Sequence, residues 1–90
     1  MDGTLSYTCP SGFTLVLRDL DTYSNELLET SVHLIGSEGQ TIWYNGFAAG
    51  GNPQYAGWRG RQVLTTGEDV TITASGGVDV TLGGYLLVLP

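Results

Sequence analysis

The sequence predicts an all-β fold, an antiparallel β-sandwich of jelly-roll-like character with about eight short strands. Three observations predict it. Val70, Ile72 and Ala74 alternate with Thr71 and Thr73, and Val78, Val80 and Leu82 alternate with Asp79 and Thr81. A two-residue period marks a strand with one buried face and one wet face. Turn residues (Gly, Pro, Ser, Asn) recur roughly every 8–12 residues, the spacing of a two-sheet sandwich or a small barrel.

Thr4–Thr8 alternates and reads as the first strand. Cys9-Pro10-Ser11-Gly12 is a turn, with Pro10 preset for its first corner. Phe13 to Leu20 follows as a strand with Phe13, Leu15 and Leu17 on one face, and Asp19 to Asn25 reads as turn-rich. Leu27, Leu28 and Leu34 would suit a short helix, but Thr30, Ser31, Val32 and Ile35 favour extended chain, so a strand is expected over 30–35. Gly36-Ser37-Glu38-Gly39 joins it to Gln40–Asn45 as a hairpin. Residues 46–54 read as a long Gly- and Ala-rich loop with Phe47 at its tip, the kind of segment that usually carries function. Tyr55–Leu64 is extended, Thr65–Glu68 turns, and Ser75-Gly76-Gly77 is expected to close a hairpin between the two alternating strands. Gly83-Gly84 then introduces a separate closing strand, Tyr85–Leu89. No repeat or linker divides residues 1–90, so a single domain is expected.

Composition narrows the function classes. Hydrophobic residues make up 41% of the chain and charged residues 13%, about half the usual share. So thinly charged a surface suits burial against neighbouring subunits. Three arginines, no lysine and nine acids give a net charge of −6. Phosphate backbones are repelled by such a chain, so no nucleic acid is expected as partner, and an anionic membrane is disfavoured for the same reason. No apolar run approaches a membrane span. The start, Met1-Asp2-Gly3, lacks a basic n-region and an apolar h-region, so synthesis in the cytoplasm without a signal peptide is expected. Cys9, the one cysteine, reads as a small buried hydrophobe.

Catalytic chemistry finds few candidates, and neither an enzymatic activity nor a cofactor or metal is expected. His33 stands between Val32 and Leu34 without Cys, Asp or Glu at ligand spacing. No Gly-x-Ser-x-Gly elbow occurs. Gly67-Glu68-Asp69 lacks the spaced oxygens of a calcium loop, and Glu68 with Asp79 shows no glycosidase spacing. Aromatics are the better lead. Trp43, Tyr44, Tyr55 and Trp58 flank the 46–54 loop, and alternation requires that one of Trp43 and Tyr44 faces in and the other out. Trp58 is expected inward, with Tyr55, Phe47 and one of the Trp43/Tyr44 pair turned toward a partner. Arg59 and Arg61 share a strand face and read either as partners for carboxylates across a subunit boundary or as ordinary solubilising charges. Leu5 and Tyr7 on the first strand complete the candidate partner-binding set.

Cys9-Pro10-Ser11-Gly12-Phe13-Thr14-Leu15-Val16-Leu17-Arg18-Asp19, a Pro-x-Gly turn leading into a hydrophobic strand that ends in Arg-Asp, is followed by Trp58-x-Gly60-Arg61-x-Val63-Leu64-x-x-Gly67-Glu68 and Val78-Asp79-Val80-x-x-Gly83-Gly84-Tyr85-Leu86. Together these resemble the small β-sandwich proteins encoded among the structural genes of tailed bacteriophages. The likeness covers nearly the whole chain and departs at Asp21–Glu26, where that family usually carries a polar Asn-Thr/Ser-Gly turn. The resemblance implies a non-enzymatic virion component: a decoration or cement protein of the capsid shell, a head–tail neck component or a tail accessory. Its expected partners are major capsid or neck subunits and, by self-association, further copies of itself, for instance as a trimer. The alternative from another class is a carbohydrate- or receptor-binding module of a tail or head fibre, stacking sugars on Trp43, Tyr44, Tyr55 and Trp58.

Overall fold

The computed structural model describes residues 1–89. Seven strands form: β1 (Gly3–Thr8), β2 (Phe13–Ser24), β3 (Thr30–Ile35), β4 (Thr41–Phe47), β5 (Gln54–Leu64), β6 (Asp69–Ser75) and β7 (Asp79–Val88). A four-stranded sheet has the order β1-β6-β3-β4, and a three-stranded sheet has β5-β2-β7. All pairings are antiparallel. Strands 1 with 6, 2 with 5 and 3 with 4 pair as in a jelly roll, and β7 returns to flank β2. The body measures 50 × 19 × 17 Å, with the strands along its length.

The core lies between the sheets. Leu15, Leu17 and Leu20 of β2 meet Val32 and Leu34 of β3 and Val70, Ile72 and Ala74 of β6, with Phe47, Leu64, Val78 and Cys9 around them. Cys9 is buried and its thiol donates to the Phe13 carbonyl at 3.2 Å, as a small core residue should.

Three sequence expectations are corrected here. β6 and β7 do not form a hairpin: they belong to different sheets, and Gly76–Val78 arches across the sandwich. Alternation reports one buried face per strand, and that face is the same whether the neighbour lies beside it or across the core. Only β3 and β4, joined by the Gly36–Gly39 turn, are consecutive strands of one sheet. Second, the expected break at Gly83-Gly84 is absent. β7 runs through it, giving seven strands instead of eight, because these glycines let two backbones approach. A Cβ on Gly84 would meet the Val16 carbonyl oxygen, and one on Gly83 the Asp19 carboxylate. Third, β2 does not stop at Leu20. A bulge at Arg18 inserts one residue relative to β7, where Leu17 faces Gly84 and Asp19 faces Gly83. The inward residues therefore switch from Leu15 and Leu17 to Leu20, Thr22 and Ser24. Two of these are polar, which disguises the strand in the sequence.

Candidate functional site

Polar residues close one end of the sandwich. Thr22 Oγ1 donates to the Ala56 carbonyl at 2.7 Å, Ser24 Oγ to the Gly77 carbonyl at 2.8 Å, and Thr30 Oγ1 to Ser24 Oγ at 3.0 Å. Each buried hydroxyl thus has a partner, as burial demands. Above this layer the 25–29 loop lies against the 48–53 loop. The Gly50 and Gly51 N–H groups donate to the Leu27 and Glu26 carbonyls, both at 3.0 Å. Gly50 and Gly51 have φ of 122° and 77°, a conformation that side chains resist. Gln54 clamps the second loop through both amide atoms, accepting from the Ala48 N–H at 3.0 Å and donating to its carbonyl at 2.8 Å.

On this braced backbone Leu27 and Leu28 stand 76% and 79% exposed. They form an apolar tip whose ordering cost is already met in the free protein. In the sequence both leucines suit a short helix and nothing local marks a tip; Gly50-Gly51 is the signal that a second loop can fix one.

A second apolar surface lies along the β1–β7 side and at the far end of the molecule. Leu5 and Tyr7 stand opposite Ile72 and Val70, so they face inward, yet they are 56% and 46% exposed. Beneath them opens a groove of about 380 Å³ between the sheets, lined by Leu15, Leu17, Ile72, Leu82 and Leu86 among others. Tyr85, Leu86, Leu87, Val88 and Leu89 are all exposed. On the outer face Val63 and Tyr85 flank Val16, which is buried between its neighbours. β7 is thus apolar on both faces, an unusually large exposed apolar surface for a single strand.

The remaining predicted contact residues separate. Phe47 is corrected: it is 3% exposed, the last inward residue of β4, and part of the core rather than a loop tip. Its side chain follows Trp43 and Asn45 on the inner face, and the loop begins only at Ala48. Trp43 and Trp58 are also turned inward, partly buried against the core, so Trp43 is corrected as a surface contact. Tyr44 is exposed on the outer face of the four-stranded sheet, where its ring meets His33 edge-on at 4.6 Å. Tyr55 is exposed on the outer face of the other sheet, 4.8 Å from the Tyr23 ring. The four aromatics flanking the loop therefore share no single stacking platform.

Arg59 and Arg61 are both exposed. Arg59 is paired within the chain, to Asp21 at 2.7 Å, and that hydrogen bond and the neighbouring charge raise its pKa. Among the described residues Arg61 makes no ion pair, and no cluster of acids, His and Cys could hold a metal. Glu68 and Asp79, compared above as an acid pair, sit at opposite ends: Asp79 faces Tyr23 beside the polar layer, whereas Glu68 bonds the far Thr65 turn. The Glu68 carboxylate accepts from the Thr65 hydroxyl at 2.6 Å and the Thr65 N–H at 2.8 Å, which lowers its pKa. Among the described residues no helix is long and apolar enough to cross a membrane.

Fold and surface together define the class: an all-β, two-sheet sandwich with two separate exposed apolar regions. No family model, curated protein or solved structure matches the chain.

Proposed function

We propose that this protein is a non-enzymatic structural component of a bacteriophage virion, docking in repeated copies on the assembled capsid shell or at the head–tail neck. One observation carries the reading. A body 50 Å long exposes apolar side chains at both ends, Leu27 and Leu28 at one and Leu86 to Leu89 at the other. Two contact regions at opposite ends let one small domain touch two neighbouring subunits, which is what cementing a shell requires. The resemblance of the turn and strand signatures to phage β-sandwich proteins supplies the virion context. Docking also stabilises a small domain by mass action, because only the folded chain binds.

The test is add-back to particles assembled without the protein, with bound copies counted by gel densitometry and cryo-electron microscopy. Wild-type chain is expected to saturate a fixed number of sites, and a Leu27→Ser/Leu28→Ser double variant to lose at least roughly tenfold in affinity, the scale of an interface anchor. Full occupancy by the double variant would remove the leucine tip from the contact. Absence of wild-type binding to shell, neck and tail would end the virion reading.

A further inference from the structure

We infer that the β1–β7 side is an interface between two copies of this chain, related by a twofold axis parallel to the strands. The inference goes beyond particle docking and rests only on that side being a contact surface.

Four strands face three. At one side of the sandwich β4 and β5 touch, so the mismatch falls on the other side, where β1 and β7 are the free edges. There the inward side chains of β1 have no strand beneath them, and the place beside β7 in the three-stranded sheet is open. Both edges run the same way. β1 starts where Met1 exchanges backbone hydrogen bonds with Val78 and ends at the Cys9–Gly12 turn. β7 starts after Val78, and the Leu89 N–H that follows it donates to the Gly12 carbonyl at 2.9 Å.

A twofold axis along the strands exchanges the two layers. It sets β1 of one copy beside β7 of its partner, in the partner's open place, and the reverse. Each layer then becomes a continuous sheet of seven strands, four from one copy and three from the other. A step of one strand on one copy fills the step on the next. The pairing is parallel, and the inward Leu5 and Tyr7 of the two copies meet across the shared core beside the inward Leu86 and Val88 of β7.

Charge and area agree with this occupant. From Thr4 to Thr8 and from Val80 to Leu89 no side chain is charged, so for two copies of net charge −6 the like charges at these edges are confined to Asp79, which opens β7, and Asp2, just before β1. Neither edge carries the Lys, Pro or inward charge that guards a free edge against pairing. Leu5, Tyr7, Leu86 and Val88 expose on the order of 400 Å² per copy, so both copies together reach roughly 800 Å² of side-chain surface, to which the paired edge backbones add, the scale of a concentration-dependent dimer.

The experiment is sedimentation equilibrium up to hundreds of micromolar, with hydrogen exchange by mass spectrometry above and below the association range. A dimer is expected, with amides of β1 and β7 slowing on association while those of β4 and β5 do not change. Leu5→Lys and, as a second variant at a 77% exposed position outside the core, Val88→Lys are each expected to weaken it roughly tenfold or more, with an unchanged circular dichroism spectrum as the control for folding. Leu28→Lys, at the distant tip, is expected to leave it unchanged. A monomer throughout, a trimer, a dimer indifferent to both β1–β7 variants, or protection at β4 and β5 would each overturn the inference. Particle binding by a persistent monomer would overturn the dimer and leave the virion reading intact; a dimer that binds no particle would do the opposite.

Discussion

Gly84 faces Leu17 across the bulge, and the space where its side chain would stand is filled by the Val16 carbonyl oxygen. A backbone oxygen in a central strand cannot swing aside as a flexible side chain would. Gly84→Ala is therefore expected to destabilise the fold by about 1–3 kcal/mol, the usual range for overpacking, measured by urea unfolding with an unchanged m-value. Glu68 acts through its charge. Hydrogen bonds from Thr65 hold its pKa in the folded protein below the ordinary value, so its stabilising effect is complete above about pH 4.3 and is lost as pH falls through the folded value. Glu68→Gln keeps an acceptor for Thr65 but cannot titrate there. Its melting temperature is expected to be lower than wild type at pH 7 and to converge on it as pH drops toward 3, in a calorimetric pH series.

The elements show what the sequence could and could not convey. β3 occupies Thr30–Ile35, as its β-branched residues predict, and the Gly36–Gly39 turn makes the hairpin expected of it. Local pattern suffices where a strand alternates cleanly and its partner is next in the chain. It fails where the pattern changes phase. In β2, Arg18 shifts the buried face from odd to even positions, and the inward Thr22 and Ser24 satisfy themselves on backbone carbonyls, so half the strand looks like a turn. Deleting Arg18 would remove the bulge and leave Leu15, Leu17, Leu20, Thr22 and Ser24 in one unbroken inward alternation, in register with β7. A cooperative thermal transition, followed by circular dichroism, is the expected result. The exposed surfaces were legible only in part. Leu5, Tyr7, Tyr44 and Tyr55 are exposed, but Phe47 and Trp43 turned inward, because an aromatic next to glycines reads the same at a loop tip as at a strand's last buried position. Leu27 and Leu28 escaped notice because their support comes from Gly50 and Gly51, more than twenty residues away.

At the scale of the whole molecule, two apolar regions separated by most of a 50 Å body give the proposed cement its mechanical logic. Both loops at the leucine tip are pinned by backbone hydrogen bonds, so pulling on one contact is transmitted along stiff strands to the other instead of being absorbed by a flexible linker. Removing only one contact should therefore lower occupancy without altering the chain's own unfolding. The same pairing scheme governs how the chain is made. Gly3 must find Ala74, and β2 is complete only when flanked by β5 and by β7 near the C-terminus. Such distant pairings close slowly. During synthesis the β3–β4 hairpin can close first and β5 can then join β2, whereas the four-stranded sheet waits for β6 and the three-stranded sheet for β7 to emerge from the ribosome.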